Sequence, residues 1–204
     1  MPQRVAVIGG GSVGGALARG LATAGHQVVV GVRGPTDDRH DELRASVPVV
    51  STTEAVTDAE TIILAVPAAA VAEVVPTLGC RTGQVVIDAT NAVGRPVPDG
   101  HATMADLVTS LLDEGVAFVK AFNTIGAEHL GDGRFDQGAA FLPIAGDPAG
   151  LAAATELGTD LGFEVADLGD RSAVGLVEDH ARLWIHLAFA RQWGRDFGFT
   201  VVRR

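Results

Sequence analysis

The order of apolar runs along this 204-residue chain predicts an α/β fold: a doubly wound, mostly parallel sheet with helices on both faces. Three observations carry that expectation. Short, continuously apolar, β-branched runs alternate with helical patterns, as strands buried on both faces require. A glycine loop joins the first run to the first helical pattern, the arrangement of a Rossmann-type sheet. After Arg171 the alternation gives way to one C-terminal helical segment. Right-handed crossovers then leave the doubly wound topology.

Taken in order, strands are expected at Val5–Ile8, Val28–Val30, Thr61–Ala65, Val85–Asp88, Ala117–Lys120, Leu142–Ala145 and Phe163–Ala166. A weaker one at Val47–Val50 contains Pro48, which lacks a ladder donor and points to a sheet edge. Helices are expected at Val13–Ala24, Ala68–Leu78, Met104–Leu112 and Pro148–Leu161, and Gly131–Gly138 reads as a mobile loop. From Arg171 the pattern predicts one long helix and then a short closing strand, TVV, at 200–202. Between Leu183 and Ala190 only His186 interrupts apolar character, so this stretch should be buried all round, in the core or, preferably, against a second subunit. Residues 1–170 are thus expected to form a dinucleotide-binding domain, and residues 171–204 a helix and closing strand making a homodimer contact.

Composition narrows the function. The formal charge of −10 argues against a nucleic-acid partner. No apolar run is long enough for a bilayer, and MPQRVAVIGG enters a strand pattern with no leader pattern, so a cytoplasmic protein is expected. One cysteine, Cys80, excludes an internal disulfide and reads as inert. His180 and His186, six apart, do not share a helical face, and no metal site is expected. Tyrosine is absent, and Lys120 is the only lysine to serve as a catalytic ammonium.

The stretch VAVIGGGSVGGALA carries G-x-G-x-x-G as Gly9, Gly11 and Gly14, between a strand and a helix. Gly9 permits the tight turn, Gly11 lets backbone approach a pyrophosphate, and Gly14 allows close packing of helix on strand. The anion would sit on free amides from Ser12 and Val13 onward. About 20 residues further on, an NAD site offers a carboxylate to the 2′-hydroxyl, whereas an arginine accommodates a 2′-phosphate. Here VVVGVRGP offers Gly31, which leaves room, and Arg33, which favours NADP(H). Thr36 and Arg39 could add contacts. Asp37 and Asp38 keep an NAD reading open, and a solvated Arg33 is the bland alternative.

Ligands in open α/β sheets bind outside the carboxyl ends of strands. Val66 and Pro67 follow one strand, where a stiff, dry turn suits the nicotinamide side, or simply begins a helix. Asp88, Thr90 and Asn91 follow another; Asn91 could bond a carboxamide, while Asp88 reads as a turn cap. In KAFNTIGAEHL, Asn123, Thr124, Ile125 and Ala127 offer a polar rim and an apolar surface for a planar ring. Lys120 reads as structural or exposed before catalytic, and His129 as helical and exposed.

With these motifs in place, the chain resembles the NADPH-dependent F420 reductases (F420H2:NADP oxidoreductases) and the reductase domain of the six-transmembrane epithelial antigen of prostate metalloreductases. The likeness runs through VAVIGGGSVGGALARGLATAGHQVVVGVRG, IILAVPAAAVAEVV, VVIDATNAV, VKAFNTIGAEHL, LPIAGD and the final helix. It implies hydride exchange between NADPH and a small-molecule redox acceptor, F420 or a flavin (FMN or FAD), stacked face to face at the strand ends. By position it assigns Gly9, Gly11, Ser12, Val13 and Gly14 to the pyrophosphate loop and Arg33 to the 2′-phosphate. It places Val66 and Pro67 beside the nicotinamide, and Asn123, Thr124, Ile125 and Ala127 near the acceptor ring. Two departures stand out: Val32 replaces a hydroxyl residue, and FNTIGA replaces a proline-bearing loop. Hydride transfer to a charge-delocalising ring needs positioning and exclusion of water, so no catalytic acid or base is expected. A reductase of a small carbonyl or imine, oriented by Asn91, Asn123 or Lys120, is the second reading. A non-catalytic NADP-binding sensor is the third.

Overall fold

The computed structural model describes residues 1–204. The chain begins β1 (Arg4–Ile8), α1 (Ser12–Thr23), β2 (Gln27–Val32), α2 (Asp41–Arg44), β3 (Val49–Ser51), α3 (Thr52–Thr57), β4 (Thr61–Leu64) and α4 (Val71–Val74). It continues β5 (Val85–Asp88), α5 (Met104–Ser110), β6 (Ala117–Lys120), β7 (Arg134–Phe135), β8 (Gly138–Ala139), β9 (Phe141–Gly146), α6 (Pro148–Asp160), β10 (Glu164–Asp167) and α7 (Val174–Ile185). Eight strands form one sheet in the order β3-β2-β1-β4-β5-β6-β9-β10, and β7 and β8 form a separate hairpin.

Neighbours from β3 to β6 pair in parallel, β9 runs antiparallel to β6, and β10 runs parallel to β9. The double apolar face of each strand explains its sequence. In β1, Val5 and Val7 enter the core layer that holds Leu17 and Leu21 of α1, while Ala6 and Ile8 enter the opposite layer with Val71 and Val177. As expected, the strand containing Val49 and Val50 lies at the sheet edge. No helix is long and apolar enough to cross a membrane.

Four local expectations are corrected. The helix expected over Ala68–Leu78 is broken into 3-10 turns at Ala68–Ala70 and Val75–Thr77 around a single α turn, because Pro76 removes an amide donor. Gly131–Gly138 is partly ordered by the β7–β8 hairpin, with Gly138 at φ +137°. TVV forms no strand; the last ladder-like bond there runs from the Phe141 amide to the Phe199 carbonyl at 2.8 Å. The apolar stretch from Leu183 is not buried all round. Trp184 and Ala188 face inward, whereas Leu183 and Phe189 are 49% and 55% exposed, and the helix ends in a π turn at His186–Ala190.

The C-terminal segment is tied to the sheet through Asp147. Its backbone amide donates to the Phe118 carbonyl at 2.7 Å, and its carboxylate accepts from the Phe118 amide at 2.8 Å and from Arg171 Nε at 2.7 Å. The Arg171 guanidinium holds the Asp147 carboxyl below the usual carboxylate range. A depressed carboxyl pKa contributes stability above the unfolded value, and that contribution is lost as pH falls through the folded value. Asp147→Asn is expected to lower stability by about 1 kcal/mol at neutral pH. In urea unfolding across pH, the deficit should shrink toward zero as acidification protonates the wild-type carboxyl.

Candidate functional site

The carboxyl ends of β2, β1, β4, β5 and β6 succeed one another along one edge of the sheet. A cavity of about 680 Å³ runs beside them. Four strand spacings cover roughly 19 Å, room for an extended ligand. Its walls include Gly9, Gly11, Ser12, Val13, Arg33, Val66, Pro67, Asn91, Asn123, Ile125 and Ala127, so eleven of the thirteen sequence-nominated residues meet in one place.

Two do not. Gly14 lies behind the loop: a Cβ there would stand 1.9 Å from the Gly9 carbonyl oxygen, so its bare backbone serves helix-to-loop packing. Thr124 is buried at 2% exposure with its hydroxyl unpartnered and does not line the cavity. Beyond the left-handed Phe122, its neighbours Asn123 and Ile125 line the cavity instead.

The glycines of the loop differ in why they are bare. Gly9 sits at φ +119°, donates its amide to the Gly31 carbonyl at 3.0 Å, and has the Ala65 carbonyl oxygen where a Cβ would point, 2.4 Å away. At Gly10 the His40 ring takes that space at 2.9 Å. Gly11 is the exception: it has ordinary φ, and nothing lies within 4 Å of a Cβ built on it. It also precedes α1 without any side chain capping the first-turn amides. Neither packing nor backbone strain accounts for a glycine there, whereas close approach of an anion to those amides does.

At the β2 end, Arg33 and Arg39 line the cavity. Arg33 is 3.7 Å from Glu73 in a pair exposed on both sides, too weak to hold the guanidinium fast. Asp37 pairs with Arg39 at 3.0 Å, and neither Asp37 nor Asp38 lines the cavity. Gly31 does line it, but it is not a vacant seat. A Cβ there would stand 3.0 Å from Ala55, Ile8 and Thr52, so the glycine lets α3 pack closely on β2.

At the other end, Asn91 and Asn123 interlock. Asn91 Nδ2 donates to the Asn123 carbonyl at 2.6 Å, and Asn123 Nδ2 donates to Asn91 Oδ1 at 3.2 Å. Asn123 Oδ1 is left without a partner. Phe122, just before it, is buried at φ +60°, a left-handed conformation that bulky side chains rarely adopt. Lys120 is fully buried, which excludes both the surface role and direct contact with a ligand. Asp88 does form a turn, accepting from the Thr90 amide and hydroxyl at 2.9 and 2.7 Å. His129 is partly buried on a 3-10 turn, 2.9 Å from Asp196 but outside hydrogen-bonding geometry.

Further wall residues carry no signal in the sequence: His40 and Thr52 near the arginines, and Trp184, Ile185, Phe189 and Arg195 at the far end. Trp184 stacks on Phe197 at 5.1 Å and donates Nε1–H to the Phe197 carbonyl at 3.0 Å, fixing the tail beside the cavity. Three arginines and no carboxylate line this cavity, in a chain of net charge −10.

Residues 4–92 match the family described as NADP oxidoreductase, coenzyme F420-dependent. Among solved structures, the hypothetical protein SMa0349 from Sinorhizobium meliloti is 33% identical, with a TM-score of 0.74 over 86% of this chain and 88% of its own. A candidate F420-dependent NADP reductase from Arthrobacter sp. FB24 has the same fold at 24% identity, TM-score 0.83, covering 98% of this chain and 100% of that one. The reductive aminase from Aspergillus terreus, solved with NADPH and ethyl levulinate, shares the fold at 18% identity and TM-score 0.70. There the match covers 95% of this chain but 63% of the aminase, so the chain spans under two thirds of its length. No curated protein matches the sequence.

The contrast between the glycines is measurable. Gly14→Ala should cost about 1–3 kcal/mol in urea unfolding, through overpacking against the Gly9 carbonyl. Gly11→Ala, which meets no neighbour but replaces the better N-cap residue of α1, should cost less, about 0.5–1 kcal/mol.

Proposed function

Because the chain belongs to the family of F420-dependent NADP oxidoreductases, we propose that it binds NADP(H) along the strand ends and exchanges a hydride with a planar flavin or deazaflavin. The observation that carries this reading is the charge inversion of the cavity: three arginines without a carboxylate, inside an acidic protein. Such a lining selects a polyanion. Gly11, bare for no internal reason, supplies the cradle for its pyrophosphate against the α1 amides.

On this reading Arg33 grips the 2′-phosphate, with Arg39 beside it, and the amides of Ser12 and Val13 take the pyrophosphate. Val66 and Pro67 wall the nicotinamide ribose, while the unpartnered Asn123 Oδ1 is an acceptor for the carboxamide N–H. Ile125 and Ala127 form the apolar seat of the acceptor ring. Bound NADPH supplies the hydride; the protein orients the two rings and excludes water between them. No side chain near the site needs to pass a proton, consistent with the absence of tyrosine and the burial of the single lysine.

Residues 171–204 have two roles here. Their inner side walls the acceptor end, and their outer side leaves Leu176, Leu183 and Trp193 at 49–63% exposure. We assign that outer face to a second copy of the chain. Leu183→Glu should convert a dimer to monomer in sedimentation equilibrium.

Calorimetry with NADPH and NADH tests the reading. NADPH should bind about 100-fold more tightly, and Arg33→Ala should abolish most of that preference by removing a charge-assisted phosphate contact. Gly11→Ala should weaken both cofactors while costing no more than about 1 kcal/mol of stability. Equal affinities, or none, overturn the proposal. Oxidation of NADPH followed with F420, FMN, FAD and cyclic imines then identifies the acceptor; turnover with imines alone would favour the carbonyl or imine reading, and none at all a sensor.

A further inference from the structure

Lys120 ends β6 with no exposed surface. Its Nζ donates to Asp88 Oδ2 at 2.8 Å and to the Thr90 carbonyl at 2.6 Å, and it lies 3.6 Å from Glu178 Oε1. The ammonium thus makes two hydrogen bonds and one longer ion pair. The three oxygens come from separate parts of the fold: the end of β5, the loop that leaves it, and the middle of α7. Glu178 Oε1 also accepts the Ala105 amide at the start of α5, at 3.1 Å.

Taking three charged groups out of water is costly, and apolar side chains of similar volume would hold such a junction at least as well. Stability alone does not explain the cluster. What the cluster does is join the two walls at the far end of the cavity. On one side are Thr90 and Asn91; on the other is α7, which six residues beyond Glu178 presents Trp184. Between them Asn123 follows Phe122, whose left-handed backbone persists only where its surroundings over-determine it. The Ala121 amide, on the same short stretch, is bonded to the Asp88 carbonyl at 3.2 Å.

We propose that Lys120 is a positioning residue: its ammonium fixes α7 against the Asp88–Asn91 loop and so sets the width of the slot in which nicotinamide and acceptor ring stack. The inference rests on the NADP(H) reading and adds that the slot is governed by an ion cluster no ligand touches.

Glu178→Gln keeps an acceptor for Ala105 and nearly the same volume but removes the charge opposite Lys120. Lys120→Met is the harsher variant and leaves Asp88 unpaired. Both are made with Trp193→Phe, so that Trp184 is the remaining tryptophan. In Glu178→Gln, calorimetric NADPH affinity should stay within about twofold of wild type, since the arginine end is remote. The acceptor KM should rise, or kcat fall, about tenfold, as expected for ring misplacement. Energy transfer from Trp184 to bound NADPH should drop with it. Lys120→Met, if folded by circular dichroism, should show the same split more strongly; if it unfolds, Glu178→Gln alone decides. Wild-type kinetics and energy transfer in Glu178→Gln would overturn the proposal, as would parallel loss of NADPH affinity. A wild type that binds no NADPH overturns this inference together with its premise. One that binds without turnover overturns only the hydride reading, and the fluorescence arm still decides the slot.

Discussion

At the start of α1 two stretches of backbone meet with no side chain between them, Gly14 against the Gly9 carbonyl, and Gly9 against Ala65 just past the end of the neighbouring β4. This contact lets the helix begin hard against the carboxyl end of β1. The uncapped amides of its first turn then open on the cavity instead of being buried in the sheet. The positions of the arginine loop, the Val66–Pro67 turn and the Asn91–Asn123 pair are all set relative to that helix end, because each follows a strand paired in register with β1 or its neighbours. A methyl group at Gly14 would push the helix outward and move the amides off the line of strand ends.

Electrostatics and packing divide the cavity between them. The β2 end is cationic and open, with Arg33 and Arg39 only loosely engaged by Glu73 and Asp37. The β6 end is largely apolar and aromatic, with neutral amides locked to each other and its one arginine, Arg195, held by Glu128 at 3.0 Å. Such a gradient suits a ligand that is anionic at one end and planar at the other. It also suits an oxidoreductase with no tyrosine and a single, buried lysine, since the demands on the protein are orientation and dryness.

Much of this is legible in the sequence, and the parts that are not share a cause. Strands such as Val85–Asp88 announce themselves because both faces are buried, and the cavity-lining Gly9, Gly11 and Arg33 because their motif is a matter of local spacing. Gly31 leaves room, as its place before Arg33 suggests, but for a different neighbour; the group it admits is α3, 21 residues further on. Trp184, Phe189 and Arg195 reach the cavity from the far end of the chain, and no local pattern signals that. Thr124 turns away because the left-handed turn at Phe122 decides which side chains face the cavity, and nothing in KAFNTI marks phenylalanine for that conformation. The break around α4 has a visible cause, Pro76, which outweighs the apolar periodicity on either side of it.

The reversal of direction between β6 and β9 has a geometric outcome. Because β9 and β10 descend against the first six strands, the chain arrives at Arg171 beside Phe118, near the amino end of β6. From there α7 climbs the height of the sheet, passes Lys120 at Glu178, and stops with Trp184 and its π turn at the rim. The helix therefore works as a gauge: deleting one turn would draw the aromatic rim back by about 5.4 Å. The aromatic side of the cavity rim is thus set by the length of a single rod.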